Sequence, residues 1–193
     1  MAEMNDYSSP DYKDNLKLED FSKEFLVKLA RQYQAAFARV TEIYHDLIQK
    51  EVGQERADAL ERTLFSMQAK ANVPRMAKAA NIEVKDLVDA WKVLQLLLDG
   101  IMGHQPLNRT EIVEGDRNHI IWTCDRCLPI EYYEKQGQLD RIKAFCHDLE
   151  EGAMREYILA LFPDAEVKVK YHKRPPREGP DDIFCKWEIR LVT

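Results

Sequence analysis

The chain is short of glycine: seven in 193 residues, none of them clustered. That shortage removes the Gly-rich loops that cradle nucleotide phosphates, and with them a nucleotide cofactor. There is no H-E-x-x-H and no G-x-S-x-G, so the zinc-peptidase helix and the nucleophile elbow of serine hydrolases are missing too. No long apolar run exists. The longest, "VLQLLLDGIM" (93–102), is too short to cross a bilayer. The first residues, "MAEMNDYSSPDYKDNLK", have neither a basic stretch nor an apolar core, so they do not read as a secretion signal. A cytoplasmic protein without a membrane span is expected. The net charge of −6 supplies no basic surface for nucleic acid. The one basic run, "KVKYHKRPPR" (168–177), is followed by Glu178, Asp181 and Asp182 and reads as a solvated loop.

What is present points to an α+β domain. Residues 1–17 read as a flexible tail and 18–193 as one domain, with a helical half (18–104) and a sheet-containing half (105–193). After a cap at Asp20 or Ser22, apolar residues recur every three or four positions from Phe21 to Ile48, a single stripe on a long helix ending at Gly53. Such a stripe is long enough to serve an interface as well as a core, which allows a homodimer. A second helix is expected over 55–71, with Ala57, Leu60 and Leu64 inward and Pro74 kinking it or starting another. A third spans 85–102. The period then changes from 3.6 to 2. A hairpin is expected from Glu111–Glu114 and His119–Cys124, then a short helix ending at Gly137 and a longer one over 139–161. Two further strands follow, 166–172 and 183–192, each alternating apolar and polar residues. The order suggests an antiparallel sheet of about four strands with helices packed on one face.

The chemistry-bearing residues are four cysteines. Cys124 and Cys127 form a C-x-x-C, Cys146 lies on the apolar side of a helix, and Cys185 lies on the inner face of the last strand. A shared zinc site would suit four thiolates. A nucleophilic or redox thiol is the second reading, with His147 beside Cys146 but pointing about 100° away on a helix. Small buried core residues are the third. An iron–sulfur cluster is a further use of the same ligands. The aromatics Tyr44, Trp122 and Trp187 could line an apolar pocket, and Arg75 at a helix start could hold a ligand carboxylate. His45, His104, His119 and His172 read as surface or capping residues.

The segments "LNRTEIVEGDRNHIIWTCDRCLPIEYYEKQGQ", "FCHDLEEGAMREYILALFPDAEV" and "DDIFCKWEIRL" resemble bacterial and archaeal proteins of unassigned function. Those are related in pattern to the L-2-amino-thiazoline-4-carboxylic acid hydrolase family and, distantly, to 4-vinyl reductase domains. The shared pattern is a cysteine before a short helix, one in the next helix and one in the last strand before an aromatic: here Cys127, Cys146 and Cys185, with Cys124 as an addition. Arg75 also matches, whereas the family tends to have Asp then Gly where Thr41 and Glu42 stand, and Glu where Asn72 stands. The resemblance implies a fold like the ligand-binding domains of haem nitric-oxide sensors and transport-particle subunits. It also implies a small apolar or carboxylated ligand, and a hydrolase opening C–N or C–S bonds with a cysteine-bound zinc. A non-catalytic ligand-binding or sensor domain is the alternative, and the departures at 41, 42 and 72 suit it.

Overall fold

The computed structural model describes residues 4–8, 13–97, 108–179 and 181–192. His104 and the end of the expected third helix lie outside them. The chain resolves into two compact units, Met1–Tyr44 and His45–Thr193.

In the first unit the Ser22 hydroxyl accepts the Phe25 N–H at 3.3 Å and so caps helix α1 (Lys23–Val52), one of the two caps the sequence offered. Met4 is strapped to that helix start. Met4 N–H donates to the Asp20 carbonyl and Ser22 N–H donates to the Met4 carbonyl, both at 2.8 Å. Phe21 packs between Tyr7 and Phe25. The α1 stripe differs from expectation in its burial: Tyr33, Val40 and Tyr44 are each more than 60% exposed.

The second unit is α+β, as the change of period implied. Gly53, at φ 83°, separates α1 from α2 (Gln54–Ala79). That backbone conformation disfavours a Cβ, which is why glycine stands there. Helix α2 runs on through Pro74 instead of ending before it. Ala69, Val73 and Ala77, all buried, carry the helix past the missing N–H. Helix α3 (Leu87–Gln95) starts at Asp86, whose carboxylate accepts the Asp89 N–H at 2.9 Å.

The sheet is antiparallel with order β1-β2-β4-β3: β1 Asn108–Ile112, β2 His119–Cys124, β3 Glu166–Lys173 and β4 Cys185–Val192. Strand β1 lies three residues earlier than the sequence suggested. Val113–Gly115 instead form a tight turn, with Glu114 at φ 51° and Gly115 at φ 77°. Between β2 and β3 come α4 (Leu128–Lys135), α5 (Leu139–Lys143), a π-helical turn (Ala144–Leu149) and α6 (Glu150–Leu159). The single helix expected over 139–161 is thus interrupted by a stretch with wider hydrogen-bond spacing. Helix α3 packs on β2, α6 packs on β3, and α2 lies over α3, α6 and the π turn. The inner sheet face is apolar: Ile120, Cys124, Val167, Cys185, Trp187, Ile189 and Leu191 are all buried.

Candidate functional site

The pairing of β2 with β4 sets Cys124 directly opposite Cys185. Both are buried on the inner face, one step beyond the cross-strand pair Trp122 and Trp187. Cys127 follows as the residue before α4; its backbone is extended and its carbonyl accepts the Glu131 N–H at 2.9 Å. The Cys124 thiol interacts with the thiols of both Cys127 and Cys185. It also points its S–H at the Arg126 carbonyl, at 3.1 Å. Cys146 arrives from the π turn and feels the charge of Cys127.

Three of these thiols are held firmly protonated. For Cys124 the hydrogen bond with Cys127 favours ionisation, but the bond with Cys185 and burial together outweigh it and the net shift is upward. Cys127 is pushed well up by its bond to Cys124 and then by burial. Cys146 is raised first by burial and then by the negative charge of Cys127 and Glu150. A thiol in this state is a poor nucleophile. A zinc ion bound by thiolates about 2.3 Å away needs sulfurs about 3.8 Å apart. The described thiols meet pairwise, but no three of them lie within 4.8 Å of one another. The donors are of the right chemistry for zinc and come from β2, β4 and the residue before α4.

The residues expected to line a ligand pocket are dispersed or packed against each other. Trp122 sits edge-on between Trp91, at 5.8 Å, and Trp187, at 5.6 Å; Tyr171 meets the far side of Trp187 at 4.8 Å. In this aromatic row Trp91 and Trp187 are buried in the core and Trp122 and Tyr171 are half-buried against them. Trp91 anchors it through a 2.9 Å hydrogen bond from its indole N–H to the Thr110 hydroxyl. Tyr44 is 61% exposed on α1, and Arg75 is exposed on α2. His147 does not face a thiol: its Nε2 lies 2.9 Å from the Pro175 carbonyl. His119 and His172 clamp the two oxygens of Glu188, each at 2.9 Å, on the outer face of the sheet.

A second group of functional side chains escaped the sequence reading. His45, expected at the surface, is 5% exposed, and Glu61 is 7% exposed where Leu60 and Leu64 had been expected inward. Those two leucines are exposed instead. His45 Nδ1 lies 3.1 Å from Glu61 Oε2, and Nε2 lies 3.8 Å from Asp58 Oδ1. Arg141, from α5, closes the cluster. Its Nη2 donates to both oxygens of Glu61 at 2.9 and 3.0 Å, and its Nη1 reaches Asp58 Oδ1 at 3.3 Å. Burial would raise the Glu61 carboxyl, but the hydrogen bond from His45 and the charge of Arg141 prevail and hold it low. Among the described residues, His45, Asp58 and Glu61 are the one set of three such side chains whose ligand atoms all lie within 4.8 Å of one another. The signal was in the spacing: His45 and Glu61 stand eight residues to either side of Gly53, and Asp58 shares a helix face with Glu61 at i, i+3.

No helix among the described residues is long and apolar enough to cross a membrane. No protein-family model matches the chain, and no curated protein matches it. A solved structure of trafficking protein particle complex subunit 3 from Naegleria fowleri, covalently bound to palmitic acid, is similar over 89% of this chain and 98% of that one, at 12% identity and a TM-score of 0.46.

Proposed function

We propose that this chain is a non-catalytic binding domain whose thiol cluster takes a soft metal ion, zinc first among them. The observation that carries the reading is the direct pairing of Cys124 with Cys185 across β2 and β4, both buried on the inner face, with Cys127 three residues on at the start of α4. Cys124, Cys127 and Cys185 would hold the ion, and Cys146 stands as the fourth donor. A site closed by four thiolates leaves no position for substrate and serves structure or sensing. The protonated state of the thiols adds a consequence: uptake of the ion releases protons and tightens as pH rises. Two observations weigh against the hydrolase alternative. Arg75, the residue assigned to a substrate carboxylate, is exposed on α2, and the aromatics that would wall a substrate pocket are packed on one another.

The test is elemental analysis of protein purified under reducing conditions, paired with thermal unfolding. The wild type is expected to hold close to one zinc per chain that a chelator removes with a drop in Tm. Cys124→Ser, which takes away the apex of the cluster, is expected to lose that zinc. Zinc retained in Cys124→Ser, or a metal-free wild type that takes up none on addition, would refute the reading.

A further inference from the structure

The cluster of His45, Asp58, Glu61 and Arg141 contains a buried atom that no hydrogen bond satisfies. The His45 side chain is 4% exposed. Its Nδ1 faces Glu61 Oε2 at 3.1 Å, and that carboxylate already accepts from Arg141 through both oxygens and can only accept, so the ring proton sits on Nδ1. In the neutral ring Nε2 then carries a lone pair. That nitrogen is buried and makes no hydrogen bond. It looks across 3.8 Å at Asp58 Oδ1, another acceptor. The gap is too wide for an N–H···O bond, so a second proton on the ring would leave it unfilled. A buried acceptor facing a second acceptor is costly unless something positive lies between them.

A metal ion is of the right size for that gap. Bonds of about 2.0–2.2 Å to an imidazole nitrogen and to a carboxylate oxygen span such a separation at an open angle. The partner on the other side of the ring also has the expected form. A metal-bound histidine ordinarily gives its second N–H to a carboxylate, which fixes tautomer and orientation. Glu61 accepts that proton and is itself held by both oxygens on Arg141. Charge favours a cation too: Asp58 and Glu61 against Arg141 leave the cluster one unit negative with His45 neutral. Gln54 donates to Asp58 Oδ1 at 2.7 Å and steadies that carboxylate.

We propose that His45 and Asp58, with Glu61 as the adjoining carboxylate, form a site for a borderline first-row divalent ion such as zinc or cobalt. Mixed imidazole and carboxylate donors suit this class, and the thiols of the same unit offer sulfur donors instead. The two sites are therefore separable by spectroscopy. Cobalt(II) is the probe, added to the full chain under reducing conditions. Cobalt at the histidine site gives visible d–d absorption without a thiolate-to-cobalt charge-transfer band; cobalt at the cysteines gives both. The expected result is a bound cobalt that persists in Cys124→Ser without the charge-transfer band. Its affinity should fall at least tenfold in His45→Gln and in Asp58→Asn. Asp58 is partly exposed, so Asp58→Asn is the variant that keeps the fold if His45→Gln does not; far-ultraviolet circular dichroism establishes that. Cobalt affinity unchanged in Asp58→Asn, or all cobalt absorption vanishing in Cys124→Ser, would overturn the proposal.

Discussion

At the scale of single residues, the most consequential side chain is Glu61. A polarity-based reading of α2 placed Leu60 and Leu64 inward, and the structure turns the helix by one residue so that Glu61 enters the interior. The reason is electrostatic. His45 and Arg141 are already there, and a buried guanidinium needs a carboxylate more than the core needs another leucine. Propensity and period do not register that demand, because Arg141 lies 80 residues away in sequence. Glu61→Gln keeps the shape and removes the charge, leaving buried Arg141 with only its longer 3.3 Å ion pair to Asp58. It is expected to destabilise the fold by about 3–5 kcal/mol at neutral pH. The pH dependence has a definite sign. The folded carboxyl titrates below its usual value of 4.5, so its contribution is complete above that value and is lost as pH falls through the lower folded value. Chemical denaturation of wild type and variant across pH 3–7 checks this: the stability difference should shrink on the acid side. A difference that is flat with pH would show that the charge of Glu61 contributes nothing.

At the scale of elements, the strands were the most legible part. Alternation in "EVKVKYH" and "CKWEIRLV" names the inner residues of β3 and β4, and the structure buries Val167, Cys185, Trp187, Ile189 and Leu191 accordingly. The helices were less so. The turn at Gly53 was readable from a positive-φ residue between two periodic runs. The π turn was not, because a local widening of the helix changes no residue type; it shows only in which side chains, Ile142, Cys146 and Leu149, end up buried together. Pro74 misled in the other direction. A proline inside a helix costs about 3 kcal/mol relative to alanine, but Val73 and Ala77 on either side are buried and hold the helix in place. The ring itself is exposed. Pro74→Ala is therefore expected to restore one backbone hydrogen bond without disturbing the core. It should raise stability by about 1–3 kcal/mol, read as a higher Tm in differential scanning calorimetry. A lower Tm would mean that the ring makes contacts worth more than the bond it prevents.

At the scale of the whole molecule, the α+β class followed from the switch of hydrophobic period near residue 110, and the pairing of Cys124 with Cys185 follows from placing inner-face positions of β2 and β4 side by side. The pairing register could not be read from one strand alone; it depends on the β2–β4 partnership, which the chain order conceals because β3 intervenes. That partnership makes the thiols reporters of the cooperativity of the second unit. Cys124, Cys146 and Cys185 belong to the same apolar cluster as Ile120, Trp187 and Ile189, and Cys127 packs at its margin, partly exposed. A buried thiol reacts only when the structure around it opens. With metal removed, alkylation by iodoacetamide at pH 8 should therefore mark Cys127 first. The other three should follow together, at a rate set by opening of the sheet and its helices as one body. Mass spectrometry of quenched time points resolves the four sites. Coincident labelling of Cys124, Cys146 and Cys185, accelerated equally by Glu61→Gln, would tie the ionic cluster to the thiol layer through a single cooperative unit. Independent rates would instead show that the strand ends at Cys124 and Cys185 open on their own.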